Sequence, residues 1–227
     1  MTAVPAQTQP SSSEGQRVDV VLFDLLTAVL DSWTLWNDVA GSEEMGRRWR
    51  MAYLKLTYGC GRYVRYETLV EQAAASVGLD SGYPVTLARR WGELRAWPEA
   101  ATVLAQLKQH YRLGVVTNCS TTLGHLAAAI PGVAFDVVVT SEEAGFYKPD
   151  PAPYQLALDR LGVHADRAVF VAGSAYDLFG TAKVGLRTYW HNRVDLPMPD
   201  GAPAPFAMRP TLDSLPADLA SLAATPR

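Results

Sequence analysis

The chain has 227 residues, of which 48% are hydrophobic, so it is long enough to bury one sizeable core together with an insertion. Its formal charge of -3 and isoelectric point near 5.8 lack the basic footprint of proteins that bind nucleic acid or anionic membranes. No apolar run is long enough to cross a bilayer, and the two cysteines, Cys60 and Cys119, lack metal-site spacing, so a reduced, cytoplasmic enzyme is expected.

The first chemically informative feature is an apolar run that ends in a carboxylate. Residues 1–16 are rich in Ser, Gln, Thr and Pro, and this composition predicts a disordered tail without a secretory signal. The run that follows, from Val18 to Phe23, predicts a buried parallel strand that carries Asp24 at its C-terminal tip. Leu26, two positions later, cannot protonate an alkoxide leaving group as an acid would, so this segment points away from phosphoryl transfer.

A helical block without an expected strand follows. Ser42 predicts the N-cap of a helix that runs to about Leu56, and two further helices are expected over residues 66–77 and 85–96. We therefore interpret residues 34–97 as an all-helical cap inserted between 17–33 and 98–227. A cap over the strand tips would exclude water from a site there.

From residue 112 onward, predicted strands alternate with predicted helices. Strands are expected at 113–117, 135–139, 168–171 and 188–190, with helices at 120–129, 154–161 and 177–184 between them. This alternation predicts an α/β fold with a Rossmann-like parallel sheet. After a Pro-rich stretch, a short C-terminal helix is expected from about Leu212.

Polar residues follow four of the predicted strands. Asp24, Thr117 with Asn118, Lys148 and Asp177 would all meet at the C-terminal edge of one sheet, where open α/β sheets place their chemistry. A lone aspartate at such a position is more often a helix cap, but four polar groups at one edge favour an active site.

In the order and context of these motifs the chain resembles the haloacid dehalogenase superfamily, and within it the L-2-haloacid dehalogenases. The resemblance covers residues 18 to 193. It rests on Trp49-Arg50, on Tyr147-Lys148-Pro149-Asp150 with Tyr154, on Tyr176-Asp177, and on Trp190-His191-Asn192-Arg193.

The resemblance implies hydrolysis of a carbon–halogen bond through an aspartyl ester. Asp24 would displace halide, Asp177 would orient the hydrolytic water, Lys148 would keep Asp24 ionised, and Arg50 would stabilise the leaving halide. The substrate-binding residues implied are Thr27, Thr117, Asn118, Tyr154 and Ser174. A small halogenated acid is the implied partner, a homodimer is possible, and no nucleic acid or membrane partner is expected.

The phosphatase branch of the superfamily, in contrast, holds magnesium with further acids, at positions that here read Leu26 and Gly173-Ser174. No metal or other cofactor is therefore expected, and magnesium would matter only if a phosphatase acting on a small phosphoester were the correct alternative. A catalytically silent binding protein is the second alternative.

The chain also departs from the dehalogenase pattern. Thr27-Ala28 stands where Gly-Thr is usual, and Ala172-Gly173-Ser174 stands where Ser-Ser-Asn is usual. These changes leave open whether the substrate is a haloacid or another small electrophilic acid. The cap aromatics either line a substrate pocket or form cap core: Trp33, Trp36, Tyr58 and Tyr63.

Overall fold

A six-stranded parallel sheet forms the centre of the molecule. The computed structural model describes residues 17–224, so the predicted tail at 1–16 lies outside the described residues. The strands are β1 Val20–Phe23, β2 Leu30–Asp31, β3 Arg95–Ala96, β4 Arg112–Thr117, β5 Val137–Thr140, β6 Ala168–Ala172, β7 Arg187–His191 and β8 Ala207–Arg209. The large sheet has the order β5-β4-β1-β6-β7-β8, which confirms the predicted α/β class.

The central position of β1 follows from its composition. All four of its residues are fully buried, as expected for a strand covered on both faces. It pairs in parallel with β4 on one side and β6 on the other, with Phe23 opposite Val115 and Val171. The backbone N–H of Asp24 then donates to the carbonyl of Val171 (2.9 Å), so Asp24 stands at the end of the two inner ladders.

Helices cover the sheet and build the inserted block. They are α1 Ser32–Ala40, α2 Glu43–Cys60, α3 Tyr66–Ser76, α4 Gly82–Arg89, α5 Ala100–Leu107, α6 Thr121–Ala128, α7 Ser141–Ala144, α8 Pro151–Leu161, α9 Asp177–Val184 and α10 Leu215–Ala224. The predicted cap of α2 is confirmed, because the Ser42 hydroxyl accepts from the N–H of Met45. The predicted stops of α8 and α9 are also confirmed, at Gly162 and Gly185 in the left-handed region.

A cluster of aromatic rings packs the inserted helices together. Trp36 of α1 lies 4.6 Å from Trp49 and 5.4 Å from Tyr53 of α2, between ring centroids, and Tyr66 of α3 lies 5.4 Å from Tyr53. The indole N–H of Trp49 donates to the carbonyl of Val70 (3.0 Å). These contacts hold α2, which faces the sheet edge, in one position.

Several predicted boundaries were wrong. The helix expected over 85–96 is α4, which starts at Gly82 because Pro84 fits a first helical turn, and a 3₁₀ turn follows it. Arg95 and Ala96 are extended and pair with Leu30 and Asp31, so the block predicted to lack strands contains β3. Helix α1 starts at Ser32, and the bounds of the inserted block, 34–97, stay a prediction.

The C-terminal part differs in two further details. The Pro-rich stretch leads into β8, an edge strand that was not predicted, and α10 begins at Leu215 rather than at about Leu212. Over residues 17–224, no helix is both long and apolar enough to span a membrane.

Candidate active site

Two buried carboxylates share one buried ammonium at the C-terminal edge of the sheet. Lys148 Nζ lies 2.8 Å from Asp24 Oδ1 and 3.1 Å from Asp177 Oδ1. Asp24 follows β1, Asp177 opens α9, and Lys148 lies in the loop between α7 and α8. The fold thus brings together three predicted residues that lie up to 153 positions apart in the sequence, from Asp24 to Asp177.

The two carboxylates have different proton affinities. Burial by itself would raise the pKa of Asp24, but the Lys148 charge and the hydrogen bonds from Lys148 and Thr27 lower it below its usual value. Burial raises the pKa of Asp177 to about 6, an effect that Lys148 opposes and the Asp24 charge reinforces. Burial acts to lower the pKa of Lys148, yet the carboxylates Asp177 and Asp24 raise it, so the ammonium form persists. Asp24 is therefore suited to attack as an anion, and Asp177 to exchange a proton near neutral pH.

The turn after β1 holds the Asp24 carboxylate in place. Both the N–H (3.1 Å) and the hydroxyl (2.5 Å) of Thr27 donate to Asp24 Oδ2. The turn lies directly against Gly173, where an added Cβ would come within 2.1 Å of Thr27 Oγ1 and 2.4 Å of the Ala28 nitrogen. Thr27 thus provides a hydroxyl contact to the carboxylate, and Gly173 provides the space for the turn.

Asn118 positions the lysine loop. Its side-chain oxygen accepts from the N–H of Lys148 (2.8 Å), and its amide donates to the carbonyl of the same residue (3.1 Å). The hydroxyl of Ser141 also donates to that oxygen (2.8 Å). The Asn118 side chain, predicted to help bind substrate, is therefore already engaged with protein. The adjacent Thr117 hydroxyl is different, since it is buried without a hydrogen-bond partner among the described residues.

Arg50 reaches the site from α2 as a buried cation with free donors. Its side chain is 1% exposed, and its guanidinium lies over the rings of Trp33 (4.9 Å) and Trp36 (5.3 Å). Nη2 is 3.5 Å from the Leu26 carbonyl, whereas Nε and Nη1 have no hydrogen-bond partner among the described residues. Burial lowers the pKa of Arg50, but a guanidinium stays charged at neutral pH. Such unused donors suit an anion.

These groups line a cavity of about 30 Å³, far smaller than the roughly 300–1,000 Å³ of pockets for drug-sized ligands. Its lining consists of Asp24, Leu26, Thr27, Arg50, Tyr53, Leu54, Tyr58, Thr117, Asn118, Lys148, Ser174 and Asp177. A cavity of this volume holds a ligand of only a few heavy atoms beside the buried charges.

Tyr154 lies behind Asp177 rather than in the cavity lining. Its hydroxyl donates to Asp177 Oδ1 (2.6 Å), and its ring packs edge-on against Phe170. Gly180 makes room for this ring, because a Cβ there would lie 2.4 Å from Tyr154 Cε2. Tyr154, a predicted site residue, thus contacts the carboxylate of Asp177 from outside the cavity lining.

Two tyrosines of α2 join the site: Tyr53, to which the sequence analysis gave no site role, and Tyr58, whose role it left open. Tyr53 donates to the carbonyl of Asn118 (2.9 Å), and Tyr58 donates to the hydroxyl of Ser174 (2.7 Å). The ring of Tyr58 stacks on that of Tyr176 at 4.0 Å. Among the cap aromatics left open by the sequence, Tyr58 lines the cavity, while Tyr63 stacks on Tyr147 outside it.

The oxygen donors at this site do not fit a magnesium ion. Leu26 and Ser174 contribute no carboxylate, and the ammonium of Lys148 lies between the two carboxylates present. Within residues 17–224, no cluster of three or more His, Cys, Asp or Glu residues is arranged to hold a metal.

A family model and named relatives of this chain belong to the same group of hydrolases. The model of haloacid dehalogenase-like hydrolases matches residues 18–185. The chain is 31% identical to (S)-2-haloacid dehalogenase 1 of Pseudomonas sp. (strain CBS-3) over 78% of its own length and 82% of that protein. It is 25% identical to haloacetate dehalogenase H-2 of Moraxella sp. (strain B), over 88% and 97% of the two chains.

A solved structure extends the likeness to the fold. The L-2-haloacid dehalogenase of Xanthobacter autotrophicus, with chloropropionic acid covalently bound, superposes with a TM-score of 0.80 at 21% identity. The match covers 89% of this chain and 98% of that one. At this identity the comparison shows a shared fold.

Proposed function

Because this chain belongs to the haloacid dehalogenase-like hydrolases, we propose that it hydrolyses the carbon–halogen bond of short (S)-2-haloacids. The products are a 2-hydroxyacid and halide. The similar proteins named as (S)-2-haloacid and haloacetate dehalogenases support this substrate class. A site with room for only a small ligand is also consistent with it.

One observation carries the proposal: a buried, ionised Asp24 shares its small cavity with Arg50, whose Nε and Nη1 have no hydrogen-bond partner among the described residues. Asp24 supplies the nucleophile and Arg50 the attraction for a leaving anion. Leu26, also in the lining, offers no proton, and a departing halide needs none. The same set of groups would serve a phosphoester poorly, since an alkoxide leaving group does need an acid.

In the first step, a carboxylate oxygen of Asp24 attacks C2 of the haloacid. The new C–O bond forms as the carbon–halogen bond breaks, and the halogen leaves with the bonding electron pair as halide. Thr27 and Lys148 hold the carboxylate through three hydrogen bonds, so little reorganisation is needed at the moment of attack. Arg50 stabilises the developing charge on the halogen.

In the second step, water attacks the carbonyl carbon of the Asp24 ester. Asp177 accepts a proton from that water, and its raised pKa suits this task near neutral pH. Lys148 lies next to both carboxylates and stabilises the negative charge of the tetrahedral intermediate. Collapse of the intermediate breaks the ester C–O bond, and the leaving alkoxide takes from Asp177 the proton that came from water, which gives the hydroxyacid. The Asp24 carboxylic acid then loses its proton to solvent and is again a carboxylate.

The substrate carboxylate is assigned to the end of β4. Among the described residues the Thr117 hydroxyl has no hydrogen-bond partner, and Thr117 lines the cavity, so its hydroxyl can donate to that group. Neighbouring backbone donors are already engaged, since the N–H of Cys119 donates to the carbonyl of Thr117 (3.1 Å) and the N–H of Thr121, at the start of α6, donates to Glu142 (2.6 Å). The assignment therefore rests on the Thr117 hydroxyl. Ser174 and Asn118 act by holding Tyr58 and Lys148 in place.

The proposal includes three further properties of the protein. The mismatch between the donor set and magnesium supports a reaction without a metal or other cofactor. The free thiols Cys60 and Cys119 fit a cytoplasmic location. A homodimer is proposed from the family resemblance, and light scattering of the purified protein would measure it.

The decisive experiment is a single turnover of excess enzyme with (S)-2-chloropropionate in H₂¹⁸O. We expect one ¹⁸O atom in the peptide that contains Asp24, found by mass spectrometry, and unlabelled lactate. Label that appears in the lactate alone would mean direct attack by water and would refute the ester. The Asp24→Asn variant should release no halide and take up no label.

Two parallel assays separate the alternatives. Halide release that persists in EDTA supports a metal-independent reaction. Magnesium-dependent phosphate release from p-nitrophenyl phosphate, without halide release, would favour the phosphatase instead. A folded protein that turns over neither class of compound would be the silent binding protein.

A further inference from the structure

We propose that Tyr58 sets the maximum length of the C2 substituent and thereby restricts this enzyme to very short 2-haloacids. This inference rests on the proposed function and adds a specificity-determining residue to it. It begins from the contacts between the inserted helices and the sheet. Tyr58 stands on α2, yet its hydroxyl is bonded to Ser174, at the end of β6.

Contacts at its hydroxyl and on one face fix the ring of Tyr58. The hydroxyl donates to Ser174 Oγ at 2.7 Å, and the same Oγ lies 3.4 Å from the N–H of Tyr176. The Tyr58 and Tyr176 rings are nearly parallel, with an angle of 16° and centroids 4.0 Å apart. A side chain held both at its tip and on one face is a firm wall rather than an adaptable one.

Only part of the cavity lining remains for an apolar C2 substituent of the substrate. The halide and the substrate carboxylate take the free donors of Arg50 and Thr117, and the reacting carbon faces Asp24. The remaining lining is apolar or already hydrogen-bonded: Leu26, Tyr53, Leu54 and Tyr58. A C2 alkyl group has to pack against this set.

Tyr58 separates the cavity from solvent. Tyr53 is 1% exposed and Leu26 is 5% exposed, so both have protein behind them. Tyr58 is only partly buried, and the ring on its far side, Tyr176, is 40% exposed. Shortening Tyr58 would therefore lengthen the cavity toward the surface, whereas shortening Leu26 or Tyr53 would open it toward packed protein. Leu54 is also partly buried, but its aliphatic side chain has neither the hydrogen bond nor the ring stacking that fixes Tyr58.

The test is the ratio of kcat/KM for (S)-2-bromopentanoate to that for (S)-2-bromopropionate. Each newly buried methylene is expected to add about fourfold, so Tyr58→Ala should raise this ratio about 15-fold for two methylenes. Tyr58→Phe keeps the ring and loses only the hydroxyl, so its ratio should stay within about threefold of the native value. If Tyr58→Ala fails to fold, Tyr58→Leu shortens the wall with an apolar side chain, and its ratio should also rise.

Tyr63→Ala is the matched control. Tyr63 forms another stacked tyrosine pair between the inserted block and the sheet domain, with Tyr147 at 5.4 Å, but it does not line the cavity. Its ratio should equal that of the native enzyme. An unchanged ratio in folded Tyr58→Ala or Tyr58→Leu, or an equal rise in Tyr63→Ala, would overturn the inference.

A binding assay distinguishes failure of this inference from failure of the proposed function. Pentanoate and propionate carry no halogen, and their dissociation constants are measured by the quenching of tryptophan fluorescence. If native enzyme releases no bromide, the proposed reaction fails, but Tyr58→Ala should still favour pentanoate by the same factor. If bromide is released and neither ratio changes in Tyr58→Ala, only the role of Tyr58 is refuted.

Discussion

The hydrogen bond from Tyr154 to Asp177 allows a sharp test of the hydrolytic step. Tyr154→Phe removes one hydroxyl that donates to Asp177 Oδ1 at 2.6 Å and leaves the ring in place against Phe170. In the native enzyme the ionised fraction of Asp177 is half at pH 6, because burial has raised its pKa to about 6. Since the carboxylate form is the base, ester hydrolysis should lose rate as the pH falls through this value.

The size of the effect follows from the bond that is lost. Hydrogen bonds to charged groups contribute about 1.5–3 kcal/mol, and one pKa unit corresponds to about 1.4 kcal/mol, so the acid limb should move up by about one to two pH units. At pH 6 the ionised fraction would fall from one half to about one tenth or one hundredth. At pH 9, above the pKa of Asp177 in both proteins, the variant and the native enzyme should hydrolyse the ester at similar rates.

The assay is the decay of the Asp24 ester in single turnovers, quenched at intervals between pH 5 and pH 9 and followed by mass spectrometry. Tyr147→Phe is the control, since its hydroxyl also makes a 2.6 Å bond, to the Val64 carbonyl, but does not contact Asp177. Its acid limb should match that of the native enzyme. A uniform loss of rate in Tyr154→Phe at every pH would refute the reasoning.

Three other substitutions test separate parts of the site. Arg50→Met should lower kcat/KM for a 2-chloroacid by about 10²–10³-fold, while the midpoint of thermal unfolding stays the same or rises, because a buried guanidinium with two unused nitrogens is costly. A lowered midpoint would show that the cation stabilises the fold. Gly173→Ala should cost about 1–3 kcal/mol of unfolding free energy in urea titrations, since its Cβ would collide with Thr27 and Ala28. Lys148→Met leaves two buried carboxylates without a cation, so stability should fall by about 3–5 kcal/mol and rise again at acid pH, where the carboxylates gain protons.

The residues that meet at the C-terminal edge of the sheet could be placed there from the sequence because each is tied to a local signal. Asp24 closes a continuous apolar run, and such runs are typical of strands buried on both faces. Strand tips of a parallel sheet meet at one edge, so the ion pairs of Lys148 with Asp24 and Asp177 follow from topology once the strands are assigned. The ends of α8 and α9 could be predicted for the same reason, because Gly162 and Gly185 directly follow the last residues of these helices.

Elements whose shape depends on a distant partner were predicted poorly. Nothing in the sequence near Arg95 and Ala96 indicates a strand, because these residues are extended only through pairing with β2. Arg95 pairs with Asp31, 64 positions earlier, and Ala96 pairs with Leu30, 66 positions earlier. Propensity favoured a helix there, and tertiary pairing overrode it. The edge strand β8 has the same explanation, since it is defined by its ladder with β7.

The sequence also did not show which polar side chains of the site bond to other protein residues. Asn118 and Ser174 were expected to bind substrate, and in the folded chain their side chains hold other residues: Asn118 bonds the backbone of Lys148, and Ser174 accepts from Tyr58, 116 positions earlier. A serine where an amide is usual in the family looks like a lost contact when only the sequence is considered. In the folded chain Ser174 accepts the hydrogen bond from Tyr58 and so links α2 to the end of β6. Substitutions at positions 58 and 174 are therefore expected to occur together in related sequences. Because the Tyr58 ring also stacks on Tyr176, Ser174→Ala should, like Tyr58→Phe, keep the substrate-length ratio within about threefold of the native value.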